Sequence, residues 1–205
     1  MALTTEHFTL QGARSQTMSE SSSRAALYIG SVSSTLVALG FIAQISEAGD
    51  TFEVFALTVL PTLYLLGAFT FVRLIECGVE DFRYGLAINR IRGHYLQIAK
   101  DQAKLFLLSG HDDGHGVFAN TGVPVQGRKQ YFTFGSVVAV INSVVGGAAV
   151  AIALGAVVDA SLGLAASIGG AAAIGSTLFW LRYADRLLQA RTSHIESLWP
   201  SPAVE

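Results

Sequence analysis

Four long apolar runs divide the chain, at about residues 25–46, 54–72, 134–158 and 161–181. A helix of about twenty residues rises roughly 30 Å, which is the thickness of the hydrocarbon core of a bilayer. Soluble cores rarely contain uncharged runs of this length, so a soluble protein with four buried helices is the less favoured alternative. The pattern predicts an all-α, polytopic membrane protein with four transmembrane helices and the lipid bilayer as its first partner.

The positive charges are sorted by side. All thirteen Lys and Arg residues lie before the first run, between the second and third runs, or after the fourth, whereas the two short connections carry only acids. Cytoplasmic loops retain Lys and Arg, so both termini and the central segment are expected in the cytoplasm. The predicted order is a cytoplasmic N-terminal segment (1–24), a first transmembrane hairpin (25–72), a cytoplasmic helix and loop (73–130), a second transmembrane hairpin (131–182) and a cytoplasmic tail (183–205).

The segments outside the spans differ in helical pattern. Residues 1–18 are expected to be disordered, and Ser19–Ser23 to cap the first helix. Residues 108–130, which are rich in Gly, are expected to form a loop. Residues 73–107 contain no Pro and predict an extended cytoplasmic helix after the second span, with an apolar stripe that the tail or another subunit must cover. The stripe consists of Tyr84, Ile88, Ile91, Tyr95 and Ile98.

Local features of the first two spans bear on gating. Pro61 removes a backbone donor and should leave the Leu57 carbonyl unpaired, so a kink is predicted there and a hinge is a possible role for Pro61. The hydroxyl groups near Ser31 in the first span are expected to bond back to their own helix, with a wetted path as the alternative. Cys77, the only cysteine, is expected to be a small buried residue, with palmitoylation as the alternative.

Small residues recur every four positions in the last two spans. The third span carries Ser143, Gly147, Ala151 and Gly155, and the fourth carries Gly163, Ser167, Ala171 and Gly175. Such strips let helix backbones approach closely, which is what drives association in lipid. The short turn makes the two helices antiparallel neighbours, so the strips are expected to pack against each other. Further Gly and Ala beside the strips favour additional partner helices and hence a homo-oligomer, with internal packing alone as the alternative.

The extended helix carries the only candidate ligand site. Arg83, Arg90, Arg92 and Lys104 could bind anionic headgroups or a nucleotide, or the helix could dock a cytoplasmic protein. The alternative is ordinary positive-inside charge on a solvated face.

Known catalytic and metal signatures are missing from the sequence. No charged residue lies in the middle of an apolar run, which disfavours ion-coupled transport but not a passive pore. Gln44 and Asn142, the strongest polar groups there, are placed towards span ends. The cluster of His111, Asp112, Asp113 and His115 does not match a standard zinc site and is interpreted as a polar turn. We expect no catalytic residue, no metal, no cofactor and no nucleic-acid partner.

Three stretches carry a resemblance to known proteins: SSSRAALYIGSVSSTLVALGF from Ser21, FVRLIECGVEDFRYGLAINRIRGHYL from Phe71, and YFTFGSVVAVINSVVGG from Tyr131. The chain resembles a family of uncharacterised four-span membrane proteins of bacteria, mainly actinobacteria. This resemblance implies a bacterial inner-membrane location and four-span topology, and it implies no site residues.

Three functions follow in order of preference. The first is a non-enzymatic oligomeric membrane protein, either a gated pore or a membrane-perturbing effector such as those of anti-phage defence. The second is a membrane scaffold that docks a cytoplasmic partner on the helix at 73–107, and the third is a membrane-embedded enzyme.

Overall fold

A computed structural model of the chain describes residues 1–47, 49–122 and 134–202. The described residues form five α-helices and one short 3-10 helix at Lys100–Leu105. Four of the helices are long and apolar enough to cross a membrane, so the predicted all-α polytopic fold is confirmed. The helices are α1 (Ala2–Ile45), α2 (Asp50–Ala99), α3 (Gly114–Thr121), α4 (Phe134–Val158) and α5 (Leu162–Thr192).

The helices belong to two compact units. The membrane unit lies within residues 22–75 and 134–187 and holds the apolar parts of α1, α2, α4 and α5. The polar unit lies within residues 1–21, 76–122 and 188–202. Three segments that are far apart in sequence, each predicted to be cytoplasmic, thus fold into one unit.

The expectation that residues 1–18 are disordered is wrong. Helix α1 begins at Ala2, so Ser19–Ser23 lie inside it and do not cap it. The first part of α1 is fixed on α2, because the Arg14 guanidinium donates two hydrogen bonds to the Asp81 carboxylate, at 2.7 and 3.1 Å. A third contact lies three to four turns away, where the Thr4 and Tyr95 hydroxyls are 3.3 Å apart. Tertiary packing, rather than helix propensity, therefore orders this Ser- and Thr-rich segment.

Helix α2 continues well past the apolar run, as predicted, but it ends at Ala99 rather than at residue 107, because Lys100 takes a positive φ of 45° and a 3-10 helix follows. Its stripe is buried at the centre, at Ile88 and Ile91, while Ile98 remains 61% exposed. The Tyr95 hydroxyl of the stripe lies 3.3 Å from the Thr4 hydroxyl of α1. Helix α3 packs on α2 beside the stripe, with the Phe118 ring 5.7 Å from that of Phe82. Cover of the stripe by the tail stays a prediction. Helix α3 also corrects the prediction of an uninterrupted loop over 108–130, of which residues 123–130 lie outside the described part of the chain.

Side chains fill the interior of the membrane unit. Tyr28, Phe71 and Val138 are at most 1% exposed, and Phe71 packs on Trp180 with ring centroids 5.1 Å apart. The turns that follow α1 and α4 each place a non-glycine residue in the left-handed region, Glu47 at φ 50° and Asp159 at φ 53°. These residues reverse the chain within a few positions, as the short acidic connections require.

Candidate functional site

The most elaborate polar site lies in the polar unit, where residues 110–113 and α2 hold the C-terminal tail. We call this site the cradle and define it by Arg90, Gly93, His111, Asp112 and Asp113. The tail at residues 196–201 has no helical structure and is fixed mainly by hydrogen bonds to the cradle. The cradle thus holds a bent, non-helical segment of the chain.

Asp112 is the centre of the cradle, and its side chain has no solvent exposure. One carboxylate oxygen accepts from the Ser197 hydroxyl at 2.6 Å and from the Trp199 N–H at 2.7 Å. The other accepts from the Leu198 N–H at 3.1 Å and from the Arg90 guanidinium. Burial by itself would raise the pKa of Asp112, but these four donors outweigh burial and lower its pKa below the ordinary value. Asp112 is therefore an ionised group that holds three consecutive tail residues.

Asp113 holds the end of the tail and the start of α3 together. Its carboxylate accepts from the Gly116 N–H at 2.7 Å, which caps α3, and from the Ser201 hydroxyl at 2.8 Å. Burial raises its pKa, yet the hydrogen bonds from Ser201 and Gly116 and the nearby His111 leave the pKa lowered. The interpretation of His111–His115 as a polar turn misses this role, and no metal-binding group of three such side chains occurs among the described residues.

The four predicted anion-binding residues do not share one environment. Arg90 donates to Asp112 and to the Glu196 carbonyl, so it serves the tail. Arg92 donates to Asn89 at 2.8 Å and to the Ser109 carbonyl at 3.0 Å. Burial, followed by the positive charge of Arg14, lowers the pKa of Arg92. Of these four residues, Arg83 and Lys104 are exposed and so are accessible to an anionic ligand.

A second polar cluster lies inside the membrane unit. The Tyr28 hydroxyl of α1 donates to the Asn142 side chain of α4 at 3.0 Å, and Asn142 is fully buried. Gly67 of α2 makes room for this pair, because a Cβ there would lie 2.1 Å from the Asn142 oxygen. Asn142 is thus a central contact of three helices, whereas the sequence placed it only as a polar group near a span end.

Two further hydroxyl contacts join α5 to the same region. The Ser176 hydroxyl lies 3.0 Å from that of Ser143 and 3.1 Å from that of Tyr64. The residues of this cluster come from all four long helices, and each hydroxyl finds a polar partner away from lipid, where an unpaired group is costly. The arrangement fixes helix register and contains no charged group for proton or ion transfer.

The small residues of α4 and α5 meet, but not strip to strip as predicted. A Cβ on Gly147 would lie 2.5 Å from the Gly169 carbonyl oxygen and 2.8 Å from the Ala173 Cβ, and a Cβ on Gly169 would lie 2.8 Å from the Ala151 Cβ. Helix α5 therefore uses Gly169 and Ala173 against α4. The predicted α5 strip faces away, since Gly163, Ser167, Ala171 and Gly175 are exposed, and a Cβ on Gly155 of α4 would also meet no atom within 4 Å.

The remaining sequence features have local roles. The hydroxyls of Thr58 and Thr62 donate to the Val54 and Thr58 carbonyls, and the helix runs through Pro61. A hinge at Pro61 stays a prediction. Ser31 bonds back to the Leu27 carbonyl at 2.9 Å, as expected. Cys77 is 1% exposed, so the prediction of a small buried residue is confirmed.

Comparison with protein-family models, with curated protein sequences and with solved structures gave no match. The resemblance to four-span bacterial membrane proteins therefore stays a prediction, and the functional argument depends on the chain's own residues.

Proposed function

We propose that the chain is a non-enzymatic integral membrane protein that assembles into a homo-oligomer and forms a gated pore between its copies. The observation that carries the proposal is the exposed α5 strip of Gly163, Ser167, Ala171 and Gly175. A helix face that contacts only lipid gains little from small residues. A helix face that contacts a second helix gains close van der Waals packing, because small residues let the two backbones approach. An exposed small-residue strip within the bilayer is thus typical of a helix–helix interface.

A second exposed face supports assembly of more than two copies. Helix α1 presents a shallow groove lined by small residues, among them Ala26, Gly30 and Ser34. A contact between α5 of one copy and α1 of the next is head-to-tail, and repeated head-to-tail contacts close into a ring when the rotation permits. Because side chains fill the membrane unit of one chain, a conduction path lies between the copies of such a ring.

The strip prediction separates assembly from folding. Ala171→Leu should abolish the oligomer and leave the folded monomer intact, because Ala171 is exposed in the single chain. Gly147→Leu is the matched control, since it should cost about 1–3 kcal/mol of folding stability by overpacking against α5. Size-exclusion chromatography with light scattering, combined with ion flux in proteoliposomes, measures both properties.

Wild-type protein should form one defined oligomer and pass ions, alone or after addition of an anionic ligand at Arg83 and Lys104. A monomeric wild type, or an Ala171→Leu variant with unchanged oligomer size and flux, would contradict the proposal.

The proposed location is the bacterial cytoplasmic membrane with the polar unit and both termini in the cytoplasm. The sorting of Lys and Arg supports it. In a Cys77→Ser background, cysteines at Asp50 or Asp159 should react with an impermeant thiol reagent on whole cells, and a cysteine at Gly114 should not. Reaction at Gly114 alone would reverse the orientation.

A specific observation favours a second candidate, the membrane scaffold. Four consecutive apolar side chains after α2 are exposed: Leu105, Phe106, Leu107 and Leu108. Exposed apolar runs of this kind often contact partners. A Leu105→Ser, Leu107→Ser double variant should lose a cross-linked partner in native membranes while ion flux stays unchanged. Loss of flux instead would assign the run to the pore assembly.

A further inference from the structure

The cradle binds the tail in the way that a receptor binds a short peptide. Main-chain groups of the tail supply many of the contacts: the Leu198, Trp199 and Ser201 N–H groups donate to Asp112 and Asp113, and the Trp199 carbonyl accepts from the Asp112 N–H at 3.2 Å. Because the consecutive Leu198 and Trp199 N–H groups both donate to the Asp112 carboxylate, the tail bends around this side chain. Recognition of a segment through its main-chain groups is a recurring feature of peptide binding.

Side chains add sequence selectivity to this binding. The Ser197 hydroxyl donates to the buried Asp112 carboxylate, which accepts hydrogen bonds only. The Trp199 ring lies against Gly93, where an added Cβ would come within 2.5 Å of the ring. The cradle therefore contacts the Ser197 and Trp199 side chains, whereas the Leu198 side chain between them is largely exposed.

The cradle has its own supports, independent of the tail. Asn89 donates to the His111 carbonyl at 2.9 Å, Arg92 donates to the Ser109 carbonyl, and Asp113 caps α3. These contacts join α2, the loop before α3 and α3 itself, and none of them involves a tail residue.

Some groups of the docked tail are exposed or lack a hydrogen-bond partner in the described part of the chain. Leu198 is 61% exposed, and the Trp199 indole N–H is buried with no partner among the described residues. A buried unpaired donor destabilises the docked state relative to a solvated one. The Asp112 carboxylate accepts hydrogen bonds from three consecutive tail residues, so loss of this one group removes the contacts of Ser197, Leu198 and Trp199 together.

We propose that the cradle is a binding site for a bent peptide segment with the sequence Ser-x-Trp, and that residues 196–201 occupy it as a displaceable internal ligand. The site is independent of the pore proposal, since it lies wholly within the polar unit. A negative charge at Ser197 would face the Asp112 carboxylate and release the tail.

The test uses the full chain in detergent micelles. The probe is a fluorescein-labelled peptide of residues 193–202, and its anisotropy reports binding. The Ser197→Glu chain, whose own tail is released, should bind the probe at least about tenfold more tightly than the wild-type chain, whose tail competes. Adding Gly93→Val to the Ser197→Glu chain should weaken binding at least about tenfold. Adding Gly78→Val should not, because a Cβ at Gly78 of the same helix would meet no atom within 4 Å.

A second measurement establishes whether the tail has moved. In a Trp180→Phe background Trp199 is the only tryptophan, and iodide quenching of its fluorescence reports exposure. Quenching should rise in the Ser197→Glu chain. If Trp199 stays protected there and under excess unlabelled peptide, the tail is a fixed part of the fold and the proposal fails. An exposed Trp199 without saturable probe binding, or binding that Gly93→Val leaves unchanged, overturns it equally.

Discussion

Gly67→Val is expected to be the most damaging single substitution in the membrane unit. A Cβ at Gly67 would lie 2.1 Å from the Asn142 oxygen and 2.7 Å from the Tyr28 ring, and both partners are buried. The substitution must therefore displace the hydrogen-bonded pair and overpack the bundle. Overpacking costs about 1–3 kcal/mol, and a buried polar group left unpaired costs about as much again. We expect a loss of about 2–6 kcal/mol in the free energy of unfolding, measured by thermal unfolding in detergent.

The control for this prediction is Gly40→Val on α1, where an added Cβ meets no atom within 4 Å. It should unfold close to the wild-type temperature. A second variant tests the cause: Gly67→Ala should cost much less in an Asn142→Ala background, because contacting residues are not additive. Equal costs in both backgrounds would show that Gly67 acts by some means other than contact with Asn142.

Asp112→Asn is expected to release the tail and to be the most damaging conservative change in the polar unit. Every partner of the Asp112 carboxylate is a hydrogen-bond donor. An Asn side chain would replace one accepting oxygen with an NH₂ group, which would then face a donor and could not accept its hydrogen bond. Hydrogen bonds to a charged group contribute about 1.5–3 kcal/mol, and we expect a local loss of about 3 kcal/mol. Limited proteolysis of the tail measures it, with Asp101→Asn, at an exposed carboxylate, as control. Equal cleavage of the two variants would contradict the role of Asp112.

The same site gives a pH dependence with a defined sign. Asp112 and Asp113 have pKa values lowered by folding, so their contribution is fully present above the ordinary pKa and is lost as the pH falls through the lowered one. The tail should stay docked at neutral pH and detach only below about pH 4. Detachment near neutral pH would show that other groups control the tail.

The sequence predicted the membrane part well because its signals are local and strong. Apolar runs long enough to span a bilayer leave few alternatives, and each of the four predicted spans lies within an observed helix to within one residue. The absence of Pro from residues 73–107 likewise predicted the continuation of α2, which ends at Ala99.

The N-terminal helix was missed because its order comes from a distant partner. Residues 1–18 contain four Thr residues, which favour helices weakly, and their partners on α2 lie more than 60 positions away in sequence. A usable signal was present: a hairpin with a short turn places the residues before the first span opposite those after the second. Arg14 then faces the acidic stretch that contains Asp81.

The spacing of residues along the sequence could not predict two features. One is the face of α5 that contacts α4, and the other is the cradle. Residues four apart share a helix face, but α5 carries two small-residue faces, and the pattern does not tell which one contacts α4. Gly169 and Ala173 meet α4, and Ala171 does not. Asp112 and Ser197 lie 85 positions apart, and no local pattern connects them.

Disulfide trapping between neighbouring copies is the most direct test of assembly through α5. In the proposed orientation Gly30 of α1 and Gly175 of α5 lie at similar depth near the cytoplasmic face, and an added Cβ at either meets no atom within 4 Å. A Cys77→Ser chain carrying Gly30→Cys and Gly175→Cys should form a ladder of covalent multimers when membranes are oxidised. The control with Gly30→Cys and Ala173→Cys should not, because Ala173 packs on α4. A covalent ladder that depends on position 175 is the predicted result. No multimers, or equal multimers from both pairs, would contradict head-to-tail assembly through the α5 strip.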